Sequence, residues 1–298
     1  MDRQFAVAVV GATGLVGEMM IRVLEERGFP VSQLFPLASN RSLGHSVSFR
    51  GRSCAVNELE GFDFAQCDFA LFSAGAAVSR EHAPRAAAAG CIVIDNTSEF
   101  RYQDSVPLVV PEVNPQALAG VGKSGIVANP NCSTIQLVVA LKPLHDEAHL
   151  ERVEVATYQS VSGAGREAVE ELARQSIAAL SGKGAPQTHG GSKPIAFNCV
   201  PHIDAFQDNG YTREEMKIVW ETRKILAEPG LTEDLASLPH DLHLLAGVAV
   251  LLEGVDVGYA VEGDRLRSAV RGRRAFAAQC GDRLAGELFH RFTAGARN

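Results

Sequence analysis

Asn129-Pro130-Asn131-Cys132-Ser133-Thr134 leads straight into Ile135–Leu144, an apolar stretch with helical spacing. A cysteine at a helix N-terminus feels the positive end of the helix dipole, which favours the thiolate and makes the sulfur a nucleophile. Asn and Pro immediately ahead of Cys132 fit an exposed turn better than a core position. A thiol alone names no reaction, because a buried, inert cysteine is the ordinary case. That ordinary state is expected for Cys91 and for most of Cys54, Cys67, Cys199 and Cys280.

A second constellation gives the thiol a partner. Gly11-Ala12-Thr13-Gly14-Leu15-Val16-Gly17 joins the Val-rich run Phe5–Val10 to a helix-compatible segment, Gly14–Arg27, with Leu15, Met19, Val23 and Leu24 on one side. Glycines let the backbone approach a pyrophosphate, and the helix N-terminus offers free N–H donors. The spacing is G-x-x-G-x-x-G rather than the commoner G-x-G-x-x-G. Out of context it fits an ordinary tight turn; after the first strand of an α/β chain it argues for a dinucleotide. A second apolar run, Leu34–Ala38, ends in Ser39-Asn40-Arg41-Ser42, without the acidic residue that accepts from a ribose 2′-hydroxyl. Arg41 and Ser42 suit a 2′-phosphate, so NADP is expected. Ser73 and Gly75, after a later strand, fall by position at the same sheet edge. A nucleophilic thiol beside a nicotinamide points to aldehyde oxidation through a thiohemiacetal and a thioester.

These groups need a frame. Asp68–Ser73 and Cys91–Ile94 read as strands around an Ala-rich helix, Arg80–Ala89, and short crossovers between alternating strands and helices predict a parallel, doubly wound sheet. Beyond about residue 130 the texture changes. Ser133–Leu144 reads as helix, Arg152–Gln159 as strand, Arg166–Leu180 as a long amphipathic helix and Ser181–Lys193 as an exposed loop. Thr212–Leu226 reads as a helix whose Thr212 and Glu215 have capping-box spacing. A length of 298 residues suits two domains, and 46% hydrophobic with 21% charged residues excludes wholesale disorder. The 28 basic against 35 acidic residues leave a net charge of −7, a poor match to nucleic acid. The cysteines form neither a C-x-x-C pair nor a disulfide framework, and MDRQFAVAVVGATG is no secretory leader. The apolar run Leu242–Leu252 is too short to cross a bilayer. A cytoplasmic protein with no membrane partner is the expectation.

VAVVGATGLVG, LASNRSLG, LFSAGAA, DNTSEFR, VPLVVPEVN, NPNCSTIQ, TYQSVSGAG, PIAFNCVPHID and YTREEMKIVWETRKIL run in order from residue 5 to about 226. By these strings the chain resembles the bacterial aspartate-semialdehyde dehydrogenase family. N-acetyl-glutamyl-phosphate reductase shares the architecture, but the cysteine segment and TYQSVSGAG fit the former better. The resemblance implies an NADP-dependent, phosphate-using oxidoreductase that interconverts L-aspartate 4-semialdehyde and L-aspartyl 4-phosphate, in lysine, threonine and methionine biosynthesis. It implies Cys132 as nucleophile, Asn131 as support of the cysteine segment and Gln159 as the group that orients substrate. Arg101 would hold phosphate, with Lys217 beside it, roles that a bidentate fork and a point charge suit. Thr13, Gly14, Leu15, Val16, Arg41 and Ser42 would hold NADP together with Gly11 and Gly17, with Ser162 and Gly163 near its nicotinamide end. The implied partners are a small-molecule substrate, inorganic phosphate and a second copy in a homodimer. No metal is called for.

The expected fold is α/β. A Rossmann-type NADP domain would span 1–130 and an α+β substrate and dimerisation domain 131–262, the two-domain plan of glyceraldehyde-phosphate dehydrogenase. A helical segment, 263–298, would return to the first domain, and Arg265–Phe292 is helix-compatible. The resemblance stops near residue 227. The family's C-V-R-V-P-V and G-H-S strings, whose Arg binds the substrate carboxylate and whose His is the acid–base, do not occur here. D-N-L-x-x-G-A-A is also missing, and Gly281-Asp-Arg-Leu284 is a faint echo of it. The last 74 residues hold eight arginines and no lysine. Three readings follow: a divergent tail with its own Arg and His, a tail altered by frameshift or gene-end rearrangement, or a catalytically impaired NADP-binding paralogue. His240 and His243 are the nearest histidines to the expected place, and as a metal pair they lack an evident third ligand. Loss of general acid–base help would lower the rate about 10²- to 10⁴-fold. An enzyme of the N-acetyl-glutamyl-phosphate reductase kind is the third functional alternative.

Overall fold

The computed structural model describes residues 4–183, 194–200, 203–228 and 231–235, and every structural statement below refers to these. The chain begins with β1 (Phe5–Val10), α1 (Leu15–Glu26) and β2 (Val31–Ala38). A hairpin of β3 (Ser46–Phe49) and β4 (Arg52–Ala55) follows, then β5 (Asn57–Glu58), β6 (Phe69–Phe72), α2 (Ala76–Ala88), β7 (Ile92–Asp95) and β8 (Ile126–Ala128). The second half holds α3 (Cys132–Ala148), β9 (Arg152–Val155), α4 (Arg166–Leu180), α5 (Arg213–Leu226) and β10 (Thr232–Leu235).

Six strands form one sheet in the order β5-β2-β1-β6-β7-β8, every pair parallel. A parallel strand covered on both faces is apolar along its whole length rather than alternating. FAVAVV is such a strand. Val7 and Val9 join Ile21 of α1 in one core cluster, while Ala8 and Val10 join Ala83 and Ala86 of α2 in the other. The chain leaves β1 towards β2 on one side and later fills β6 on the other. The turns after β1 and β6 therefore diverge at the centre of the sheet, where doubly wound folds open a crevice at the strand carboxyl ends. β9 and β10 pair in parallel as a separate two-stranded unit.

β1, α4 and the capped helix α5 fall where the sequence places them. Thr212 accepts from Glu215 N and the Glu215 carboxylate accepts in return from Thr212 N, the reciprocal capping box. Other bounds differ. α2 begins at Ala76 rather than Arg80, with Gly75 (φ +97°) as its N-cap and Pro84 inside the helix. The strand expected over Arg152–Gln159 ends at Val155, and Cys91 precedes β7. α3 begins at Cys132 itself, earlier than expected. Most of the loop expected over 181–193, His240, His243, Cys280, Gly281–Leu284 and Arg265–Phe292 lie outside the described residues.

Candidate active site

Most of the residues singled out in the sequence follow the carboxyl ends of β1, β2, β6, β7 and β8, while Gln159, Ser162, Gly163 and Lys217 come from the second half of the chain. Gly11, directly after β1, has φ +86°, and a Cβ there would lie 3.1 Å from the Ala74 backbone of the turn after β6. Gly17, inside α1, is closer still: a Cβ would lie 2.1 Å from the Gly11 carbonyl oxygen. These two glycines are required by the protein itself. Gly14 is not, since its φ of −83° and ψ of 161° suit any residue and a Cβ would meet only Gly11 O at 3.4 Å. It is the N-cap of α1, with no side-chain cap on the helix. The first-turn N–H groups of Leu15, Val16 and Gly17 thus open outward past a residue with no side chain, which is the donor set a pyrophosphate needs.

The turn after β2 closes on this one. Thr13 Oγ1 lies 3.2 Å from Ser42 Oγ, and the exposed Arg41 sits in a short 3-10 helix, Asn40–Ser42. Ser73 Oγ donates to Val10 O at 3.2 Å, holding the β6 turn against β1. The exposed Ser162 and Gly163 precede α4, and Arg166 at its start donates to both oxygens of Glu18 at 2.8 and 2.9 Å. That ion pair joins the 161–166 segment to the first turn of α1. The residues present fit a dinucleotide cofactor.

The thiol lies on the other flank. Cys132 is exposed and is the first residue of α3. Asn131 caps the helix, its Oδ1 accepting from Ser133 N at 2.9 Å and lying 3.8 Å from Cys132 Sγ. Gln159 Nε2 donates to Ser133 Oγ, which ties the segment after β9 to the first turn of α3. Burial pushes the thiols of Cys67 and Cys91 up to about 12, so both stay protonated and inert at neutral pH. Cys54 is half-buried, and Cys199 is exposed against expectation.

Arg101 comes from the loop after β7. Asp95, fully buried, accepts from Ser79 Oγ at 2.7 Å and Thr97 Oγ1 at 2.8 Å and so pins that loop to α2. Arg101 is 6% exposed. It donates to Glu221 Oε1 and to Asn96 O, both at 3.0 Å, while its buried Nε has no partner. An orphaned cationic donor is what an oxyanion would complete. Lys217 Nζ donates to Glu214, whose other oxygen accepts from Asn131 Nδ2. Sequence reasoning finds Lys217 but misses Glu214, Glu221 and Lys224. The signal available for these was their spacing of three or four residues along one helix face.

Two further sets of metal-capable side chains lie elsewhere, His145 with His149 and Glu228, and His82 with Glu60 and Glu81. In the first, His145 Nδ1 accepts from Leu150 N at 3.2 Å, so the neutral ring carries its proton on Nε2, 3.5 Å from Glu228. That nitrogen faces the Glu228 carboxylate rather than standing as an open ligand.

Residues 6–121 match the family described as semialdehyde dehydrogenase, NAD binding domain, and residues 141–237 match semialdehyde dehydrogenase, dimerisation domain. The aspartate-semialdehyde dehydrogenase of Legionella pneumophila is 56% identical over 232 residues, 78% of this chain and 66% of that protein. The crystal structure of aspartate semialdehyde dehydrogenase II from Vibrio cholerae is 55% identical with a TM-score of 0.76, over 78% of this chain and 69% of that one. The chain belongs to the aspartate-semialdehyde dehydrogenase family. It also resembles the Candida albicans aspartate-semialdehyde dehydrogenase solved with NADP, at 26% identity and a TM-score of 0.57, covering 78% of this chain and 66% of that one. The chain spans about two thirds of the length of these relatives. Within the family frame, Asn129–Thr134 falls between the two matched regions, and α5 of the second packs on α3. Among the described residues no helix is long and apolar enough to cross a membrane.

Proposed function

We propose that this chain is an NADP-dependent, phosphate-using aspartate-semialdehyde dehydrogenase, working through a thioester on Cys132. The observation that carries the reading is the placement of an exposed thiol at the first position of α3, a turn that Gln159 also contacts through Ser133, on the same sheet edge as the uncapped α1 turn. The Cys132 sulfur attacks the aldehyde carbon as thiolate, and protonation of the resulting oxyanion gives a thiohemiacetal. Bound NADP would supply the acceptor for the hydride leaving that carbon. Sγ then carries a thioester; a phosphate oxygen attacks its carbonyl carbon, and the carbon–sulfur bond breaks to release the acyl phosphate and regenerate the thiolate. Asn131 holds the turn, Gln159 fixes the substrate oxygen, and Arg101 and Lys217 supply cationic charge for the phosphate.

Arg41 and Ser42 after β2, with Thr13 of the turn after β1 facing Ser42, support NADP over NAD, because they offer a cation and two hydroxyls where an acidic residue would favour a free ribose hydroxyl. Residues 1–130 form the cofactor domain and 131–262 the substrate domain in this reading. The second serves a homodimer, in keeping with its match to a dimerisation domain. A working thiolate suits the reducing cytoplasm.

Phosphate-dependent NADPH formation from L-aspartate 4-semialdehyde, with Cys132→Ser as control, tests the proposal. NADPH from the wild type and none from the variant support it. Turnover that survives in the variant, or that needs no phosphate, refutes it.

A further inference from the structure

Glu221 lies seven residues along α5 from Glu214 and is fully buried. Its two oxygens are shared between two segments distant in sequence. Oε1 accepts from Arg101 Nη1 at 3.0 Å and from Tyr102 OH at 3.3 Å. Oε2 accepts from the backbone N–H of Asn131 at 2.6 Å. One turn further along, Lys224 Nζ donates to Arg101 O at 2.8 Å and Gln103 O at 2.9 Å, so the same helix face holds the Arg101 loop by its backbone as well. A carboxylate out of water is unfavourable unless paired and hydrogen-bonded, and here every contact goes to the two segments that carry the proposed chemistry.

We propose that Glu221 is a positioning residue for the Cys132 reaction: one buried carboxylate joins the Arg101 guanidinium to the turn that presents the thiol, and balances the charge beneath it. The inference rests on Cys132 being the working thiol. The carboxylate lies under the N-terminal turn of α3, where its negative charge opposes thiolate formation, and Arg101 cancels that charge. Glu214, Lys217 and Lys224 are the charged groups that share its face of α5, and the Tyr102 phenol donates to it.

The two partners therefore have opposite effects on the thiol, which a packing role would not produce. The pH dependence of Cys132 alkylation by iodoacetamide, read on the Cys132 peptide by mass spectrometry, measures this in the free protein. E221Q is expected to lower the midpoint by about 0.5–1 pH unit, the size of one nearby, partly screened charge. R101Q is expected to raise it by a similar amount, and R101Q/E221Q to return it near the wild-type value. If R101Q does not fold, the difference between E221Q and the double variant carries the same sign test, since the double variant leaves no unpaired buried charge. Shifts of the same sign, or a lowered thermal midpoint with no shift at all, overturn the inference. NADPH formation by a wild type whose variants show no shift leaves the dehydrogenase reading in place and removes this one. Opposed shifts in a protein that forms no NADPH do the reverse.

Discussion

Replacing Gly17 by alanine puts a methyl carbon 2.1 Å from Gly11 O, 2.8 Å from Gly11 C and 2.9 Å from Ala12 Cα. All three are backbone atoms, and ordinary contact needs about 3.5 Å, so the turn must move by more than about 1 Å. It has little room. Gly11 N and Ala12 N both donate to Leu37 O, at 2.9 and 3.2 Å, and the far side of Gly11 meets Ala74. Overpacking of this kind costs about 1–3 kcal/mol, and one broken backbone hydrogen bond adds about 1 kcal/mol. Alanine returns about 1 kcal/mol through its better helix propensity. The net loss is about 1–3 kcal/mol, which lowers Tm by about 2–5 °C for a chain of this size. Gly14→Ala is the matched control. Its methyl meets only Gly11 O at 3.4 Å, so stability should stay within about 0.5 kcal/mol of the wild type. Yet the methyl enters the helix N-terminus proposed for the pyrophosphate, and NADP should bind at least about 10-fold more weakly, about 1.4 kcal/mol. Differential scanning fluorimetry gives Tm, and titration calorimetry gives Kd. A G14A protein with wild-type NADP affinity, or a G17A protein with wild-type Tm, would refute the reasoning.

Three smaller predictions follow from the same geometry. Asn131→Ala removes the α3 cap and should cost about 1 kcal/mol in urea unfolding, with a slower Cys132 alkylation rate. Among the described cysteines, peptide mapping after iodoacetamide at pH 8 should show Cys132 labelled first and the exposed Cys199 later. Cys67 and Cys91 should stay unlabelled until the protein unfolds, because burial holds their thiols protonated. Asp204 accepts from Arg213 at 2.8 and 2.9 Å, and this hydrogen-bonded guanidinium holds its carboxyl below the usual range. A depressed folded pKa means stability that is present above the ordinary carboxylate pKa of about 3.9 and lost as pH falls through the folded value. Tm of Asp204→Asn should therefore fall less steeply than that of the wild type below about pH 4.

Much of the frame is legible locally because the governing interactions are local. Six consecutive apolar residues ending at Gly11 need no partner to be read as a buried parallel strand, and Thr212 with Glu215 closes its own capping box. The start of α2 is misread because the helix begins from a glycine at φ +97° rather than from a capping side chain, while Pro84 lies inside both the expected and the observed helix. The hairpin of β3 and β4 turns at Arg50 and Gly51, both at positive φ, and SVSF and RSCA carry too little apolar alternation to stand out. The site divides in the same way. Cys132, the glycine turn and Arg41 follow from residue type beside an element end. Glu221 does not, since a carboxylate on an amphipathic helix reads as a solvated face, and its partners lie 90 and 120 residues away in the chain. Arg101 is found by family resemblance, but its burial against Glu221 is visible only in three dimensions.

The central claim is that Cys132 carries the acyl group between oxidation and phosphorolysis. Omitting phosphate isolates that step. Incubation with L-aspartate 4-semialdehyde and NADP should give a burst of NADPH approaching one per chain, then a halt, with a thioester adduct found by mass spectrometry on the Cys132 peptide. Added phosphate should release the adduct and restart NADPH formation. NADPH formed with no adduct on Cys132, or an adduct that phosphate does not release, would contradict the account.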